Sequence, residues 1–168
     1  MIDYRPDWDS YFMALAFVAS TRSKDQETKH GAVIVNTRNV ILGTGYNSFV
    51  KGINDAKMPA TRPNKYPYMI HAEQNAIFNC SVLPVNCGGG KIYITGMPCN
   101  HCLQSLIQVG IKAIYIAKRR GTMLENEEDD KIKKQILSMS DVFILERDID
   151  FSWVKDLGES LIKLKPAK

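Results

Sequence analysis

His71 and Glu73 stand two residues apart in YMIHAEQNAIFNC (68–80), and Cys99 and Cys102 stand three apart in GMPCNHC (96–102). These four side chains have the types to hold a metal ion and move a proton. One imidazole and two thiolates form a soft-to-borderline donor set that suits Zn²⁺. Three protein ligands leave one coordination position open, as in a catalytic rather than a structural zinc site. Water held at such a position has its pKa lowered from about 16 to about 7. Glu73 is not needed as a ligand, so it can take that water's proton and pass it to a substrate. A closed structural zinc would need a fourth ligand from His101, Cys80, Cys87 or His30, and it would leave Glu73 without a role. A redox pair is a weaker reading of Cys99 and Cys102, because Asn100-His101 is not the usual filling of such a motif. Cys80 and Cys87 are expected to be ordinary separate thiols, since a disulfide framework suits small secreted chains.

The elements must bring the two motifs together. Two residues of α-helix turn through about 200°, so mid-helix His71 and Glu73 would point apart. At a helix start the incoming chain can aim both at one point. Cys99 and Cys102, spaced i and i+3, share a helical face. Pro98 suits a helix start, and a helix N-terminus favours the thiolate. Both motifs are therefore expected where a helix begins after a strand-like segment.

The rest of the chain supplies such a frame. Trp8, Tyr11, Phe12, Leu15, Val18 and Ala19 recur at helical spacing, predicting a helix over 9–22. Segments 31–35 and 40–46 read as strands joined by the turn-like NTRN, hence a hairpin. Residues 47–67 carry Gly52, Pro59, Pro63 and Pro67 without a period and read as a long loop of the kind that is often functional. A helix from about His71, a strand over 91–95, a helix over 99–109 and a strand over 112–118 follow. A helix within 125–140, acidic first and basic later as the helix dipole prefers, a strand over 141–147 and a helix over 151–164 complete the series. Strands alternating with helices predict an α/β fold, a five-stranded mixed sheet with helices on both faces. We expect one domain over 1–168.

Composition narrows the class. The 168 residues suit one domain, and 45% hydrophobic with 24% charged residues is ordinary for a globular protein. No apolar run reaches the ~20 residues of a membrane span, and the acidic, aromatic N-terminus lacks the form of a secretory leader. A cytoplasmic location is the expectation. The net charge of +4 fits an anionic small molecule and does not call for nucleic acid.

The H-x-E and P-C-x-x-C pairing is the signature of zinc nucleobase deaminases. Longer stretches, YFMALAFVASTRSKD, GTGYNS, KYPYMIHAEQNAI and MPCNHCLQSLIQVGIKAIYI, resemble the deoxycytidylate (dCMP) deaminases of eukaryotes and phages over roughly residues 8–146. The resemblance implies a three-layer cytidine-deaminase-like fold and conversion of dCMP to dUMP for thymidylate synthesis. It implies attack of metal-activated water at C4 of cytosine, with Glu73 protonating N3 and assisting ammonia release. His71, Cys99 and Cys102 would hold the zinc. The Ala72 backbone would contact the base and Asn47 the deoxyribose, while Tyr115 would wall or stack on the base unless it is a plain sheet residue. Arg22 and Ser23, or Lys118, Arg119 and Arg120, would supply the phosphate anchor; each is equally readable as a solvated loop group.

The resemblance also implies a homohexamer activated by dCTP and inhibited by dTTP, with Mg²⁺ on the triphosphate. The effector would sit near a Gly-Tyr-Asn-Gly motif, here Gly45-Tyr46-Asn47-Ser48, where Ser48 would resist a positive φ if the family glycine has one. Some relatives hold a second, structural zinc through Cys and His in the loop before HAE. The segment 48–67 has neither residue type, so one zinc per subunit is expected. A phage-encoded chain would work in the host cytoplasm. Rival readings are a tRNA or other polynucleotide adenosine or cytidine deaminase and an inactive regulatory subunit. The modest charge and the acidic run near 125–130 oppose the first, and the intact Glu73 opposes the second.

Overall fold

A computed structural model describes residues 5–81, 86–118 and 126–162. The elements run in the expected order: α1 (Trp8–Ser20), β1 (Gly31–Val35), β2 (Ile41–Tyr46), β3 (Ser48–Phe49), β4 (Met69–Ile70), α2 (Ala72–Ser81), β5 (Lys91–Ile94), α3 (Asn100–Gln108), β6 (Ala113–Ala117), α4 (Glu127–Ser138), β7 (Phe143–Arg147) and α5 (Ser152–Ile162). Five strands form one mixed sheet in the order β2-β1-β5-β6-β7, antiparallel across β2, β1 and β5 and parallel across β5, β6 and β7. The β1–β2 hairpin is closed by Asn36, whose Oδ1 accepts from the N–H groups of Arg38 and Val40, and by Asn39 at φ 62°.

Side chains alternate across the sheet, and two cores result. On one face Ala32, Ile34, Ile92, Ile94, Ile114 and Ile116 pack with residues of α2, α3 and α4. On the other, Val33, Val35 and Tyr93 pack against Phe12, Met13 and Ala16 of α1. Each fully buried aliphatic side chain contributes roughly 1.5–3 kcal/mol. The buried stripe of α1 runs through Phe12, Met13, Ala16 and Ser20, while Trp8, Tyr11 and Val18 are exposed. The expected stripe is thus shifted by about one residue. The reason is close backbone contact at the sheet: a Cβ on Gly31 would meet the carbonyl oxygen of Ala16 and the nitrogen of Ser20.

The segment 47–67, expected as plain loop, contains a small ribbon strand. β3 and β4 pair antiparallel, with Ser48 opposite Ile70 and Phe49 opposite Met69. Ser48 sits in extended strand, and Asn39 is the one non-glycine residue with positive φ among those described. The anticipated conflict between Ser48 and a left-handed backbone does not arise here. Cys80 and Cys87, expected as separate thiols, are instead joined in a disulfide that links the last turn of α2 to the turn before β5. The α2 register places Cys80 inward, where Cys87 reaches it from the returning chain; sequence spacing alone gave no sign of this. No helix among the described residues is long and apolar enough to cross a membrane.

Candidate active site

One end of the sheet collects the starts of the chemistry-bearing elements. β5 and β6 finish there, β1 begins there, and the antiparallel β2 finishes beside the start of β1. His30, Asn47, Thr95 and Lys118 consequently share that end. The ribbon then fixes the approach to α2. Its register pairs Ser48 with Ile70, and the same register continued by one residue would set Asn47 opposite His71.

His71 caps α2. Its carbonyl accepts from the N–H of Asn75 at 3.0 Å, and its own N–H donates to Oε1 of Gln74 at 3.3 Å. That return contact from the third helical residue is half of a capping box. The helix is seated on β2 through glycine: a Cβ at Gly45 would collide with the carbonyl oxygen of Ala72 and the nitrogen of Ala76. Asn75 ties the helix to the same strand end by donating to the carbonyl of Tyr46 at 2.8 Å and to Ser48 Oγ at 3.1 Å. Cys99 caps α3, with its carbonyl accepting from the Leu103 N–H, and Cys102 lies in the first turn.

The two helix starts converge. Nδ1 of His71 is 3.6 Å from Sγ of Cys99 and 3.4 Å from Sγ of Cys102, and the three donor atoms lie within 4.8 Å of one another. Tetrahedral zinc with ordinary Zn–N and Zn–S bond lengths spaces nitrogen and sulfur by about 3.6 Å. The donor set and its spacing therefore fit zinc. Among the described residues no fourth His, Cys, Asp or Glu joins this group; catalytic zinc sites use three protein ligands and structural ones four.

The electrostatics agree. The Cys102 thiol donates toward Cys99, and with the His71 imidazole it holds Cys99 as a thiolate, with its pKa brought down to about 3. The hydrogen bond to Cys99 raises the pKa of His71 despite partial burial, and the Cys99 contact together with burial raises that of Cys102. Glu73 is 5% exposed, and burial pushes its carboxyl up from the usual range. Burial thus raises the proton affinity of Glu73 above that of a solvated carboxylate, in the direction that suits a group which must both accept and donate a proton.

The other expected residues divide. Ala72 is fully buried as the first residue of α2. Asn47 is buried just past the end of β2, its side-chain amide bonded to Asp25, Thr28 and His30. Arg22 and Lys118 are exposed, Arg22 just past α1 and Lys118 just past β6. Arg119 and Arg120 lie outside the described residues. Ser23 is turned inward: its Oγ donates to the Asn47 carbonyl at 2.8 Å and accepts from the Asp25 N–H at 3.2 Å. It braces Asn47 and does not present its hydroxyl to a phosphate. Tyr115 is not brought to the site. It stacks on Tyr93 at 4.7 Å on the α1 face, with the Arg147 guanidinium 5.5 Å from its ring centre, while His71, Cys99 and Cys102 lie at the starts of helices on the opposite face. Strand parity decides this, because residue 115 alternates with the inward Ile114 and Ile116. Gly45 and Tyr46 serve here as the seat of α2.

Sequence reading passed over Lys65, Asp25 and Glu27. Lys65 is 3% exposed, with Nζ 2.7 Å from Asp25 Oδ1 and 2.7 Å from Glu27 Oε2. Asp25 stands in RSKD and Lys65 in KYPY, 40 residues apart, and nothing in local pattern joins them.

A mixed sheet that brings one imidazole, two thiols and a buried carboxyl to adjoining helix starts carries the residue set of the zinc nucleobase deaminases. The chain belongs to the cytidine and deoxycytidylate deaminases, whose zinc-binding region matches residues 6–118. Deoxycytidylate deaminase of Mus musculus is 44% identical over 114 residues, 64% of this chain and 63% of that protein. The chain thus spans less than two thirds of the length of such mammalian relatives. The deoxycytidylate deaminase of Mycobacterium phage D29 is 34% identical over 131 residues, 68% of this chain and 97% of that one. The fold matches dCMP deaminase from the cyanophage S-TIM5, solved with dCMP and dUMP, at a TM-score of 0.69 and 24% identity over 86% of this chain and 99% of that one.

Proposed function

We propose that the chain catalyses hydrolytic deamination of dCMP to dUMP and ammonia. The observation that carries the chemistry is the convergence of His71, Cys99 and Cys102 beside the buried carboxyl of Glu73. The substrate is supported by the likeness to deoxycytidylate deaminases of mouse and phage. His71 Nδ1 and the sulfurs of Cys99 and Cys102 would hold a zinc ion, which when bound would supply Lewis acidity and lower the pKa of a water beside it to about 7. Glu73 takes one proton from that water and delivers it to N3 of the cytosine as the oxygen bonds to C4; it then takes the second proton, from the hydroxyl now on C4, and gives it to the departing amine as the C4–N bond breaks. Burial of Glu73 suits this two-way traffic, since it holds the carboxyl's proton affinity above that of a solvated carboxylate. The backbone at Ala72 faces the base edge, and Asn47, just past the end of β2, takes the deoxyribose. Arg22 and Lys118, exposed near the same sheet end, serve as phosphate anchors. The end of β2 at Gly45 and Tyr46, with Asn47 just beyond it, is the place for a regulatory triphosphate carrying Mg²⁺, with dCTP activating and dTTP inhibiting a homo-oligomer.

The test is ammonia release from dCMP, CMP and deoxycytidine side by side, with and without dCTP–Mg²⁺. Turnover of dCMP with little from deoxycytidine supports the reading and makes the phosphate anchor real. Turnover of deoxycytidine alone, or of cytosine or adenine only within an oligonucleotide, overturns it.

A further inference from the structure

The deamination chemistry leaves the buried ammonium of Lys65 unused. It lies between Asp25 and Glu27 at 2.7 Å from each, and both Lys65 and Asp25 are nearly solvent-free, at 3% and 4% exposed. A buried ion pair is weak evidence for stability, because desolvation offsets most of the attraction. What else the pair holds is therefore informative. Asp25 Oδ1 also accepts from the N–H groups of Glu27 at 2.9 Å and Thr28 at 3.1 Å, which fixes the carboxylate. Its other oxygen, Oδ2, accepts from Nδ2 of Asn47 at 3.2 Å. The second amide hydrogen of Asn47 goes to the Thr28 carbonyl at 2.9 Å, and its Oδ1 accepts from the His30 N–H at 2.8 Å.

Both donors of the Asn47 amide are thus committed, and Oδ1 keeps one lone pair. We infer that Lys65 and Asp25 are positioning residues that lock the Asn47 amide so that it meets substrate only as an acceptor, through Oδ1, and so selects a sugar hydroxyl donor. This rests on the dCMP reading. The deoxyribose of dCMP has a single free hydroxyl, at the 3′ position, and that hydroxyl is the donor. Lys65 supplies the countercharge that keeps Asp25 ionised and facing Asn47. Glu27, more exposed, satisfies the ammonium without touching Asn47.

The experiment compares kcat and KM for dCMP and for 2′,3′-dideoxy-CMP, which lacks that hydroxyl. The wild type should favour dCMP by roughly tenfold in kcat/KM, the effect of one good hydrogen bond. Two variants remove the ionic hold. Lys65→Met combined with Asp25→Leu replaces the pair by apolar groups of similar volume, a change proteins often accept. Asp25→Asn keeps size and shape and removes the charge. In both, the preference for dCMP should collapse toward one, through a higher KM for dCMP, with kcat within about twofold and zinc content unchanged. Glu27→Gln should lower the melting temperature yet keep the preference, and Lys65→Arg should also keep it. A preference that survives in the Lys65/Asp25 double variant or in Asp25→Asn overturns the inference and leaves dCMP deamination standing. A wild type that treats the two nucleotides alike overturns the role of Asn47. A wild type that turns over neither overturns the parent reading and this one together.

Discussion

Nδ1 of His71 lies 3.4 Å from Sγ of Cys102, although the two residues are 31 apart in sequence and belong to different helices. No single helix could place them so. The contact exists because α2 and α3 lie side by side on one sheet face with their first turns at the same sheet end. Losing either donor should therefore empty the metal site without unravelling the sheet. Cys102→Ser and His71→Ala are expected to fall from about one zinc per chain to near none, since two ligands do not make a stable site. Metal analysis of dialysed protein, together with far-ultraviolet circular dichroism, checks both halves of that statement.

Glu73 separates binding from chemistry. Glu73→Gln preserves the shape of a fully enclosed side chain but cannot carry a proton back and forth. Zinc content should stay as in the wild type, while kcat for dCMP drops by roughly 10²–10⁴. A variant that retains most of its turnover would remove Glu73 from the proton path.

The Lys65 cluster sets a pH window for stability. Burial pushes the Asp25 carboxyl up, but hydrogen bonds from Lys65 and from the Thr28 and Glu27 amides outweigh it, and the net shift is downward from 3.8. The Lys65 hydrogen bond is also the main cause lowering Glu27 from 4.5. A depressed carboxyl contributes stability that is present above its unfolded pKa and lost as pH falls through the folded value. Lys65 runs the other way: desolvation lowers its pKa, the bonds to Asp25 and Glu27 outweigh that, and the net shift is upward from 10.5. Its contribution is full below that value and fades above it. Urea unfolding across pH should show stability falling below about pH 4.5, with a shallower acid limb in the Lys65→Met and Asp25→Leu double variant.

Gly45 supports the site from beneath. A methyl group there has no space, because the α2 backbone at Ala72 and Ala76 lies directly over it. Gly45→Ala should cost about 1–3 kcal/mol by forcing the helix off the strand. The same shift moves His71 and Glu73, so zinc affinity should weaken along with the urea midpoint. Unchanged unfolding and metal binding would show that α2 can rise without consequence.

Much of this was legible in the order of residues. The strands expected over 91–95 and 112–118 and the helix-start motifs at His71 and Cys99 are legible in local pattern, and the structure joins them as expected. The misses have one physical source, which is that local pattern does not say which side of a sheet a residue faces or which distant group meets it. Tyr115 sits near the right strand end but on the wrong face by strand parity. Ser23 has the right chemistry for a phosphate and turns inward to Asn47 instead. Cys80 and Cys87 meet through the return of the chain after α2, and Lys65 finds Asp25 across a separation of 40 residues. The α1 stripe shifted because Gly31 lets the helix backbone, rather than a side chain, set the contact.

The β3–β4 ribbon also bears on how such a chain can change over generations. Everything from Val50 to Tyr68 is an excursion whose two ends are already pinned next to each other, one at Phe49 and one at Met69. Doubling the length of a loop with fixed ends costs only about 0.6 kcal/mol in closure entropy. Insertions and replacements in the excursion can accumulate while the helix starts stay where the sheet puts them. Inheritance can thus treat reactivity and choice of substrate as separate traits, with the conservative one written in the helix starts and the variable one in a hinged annex beside them.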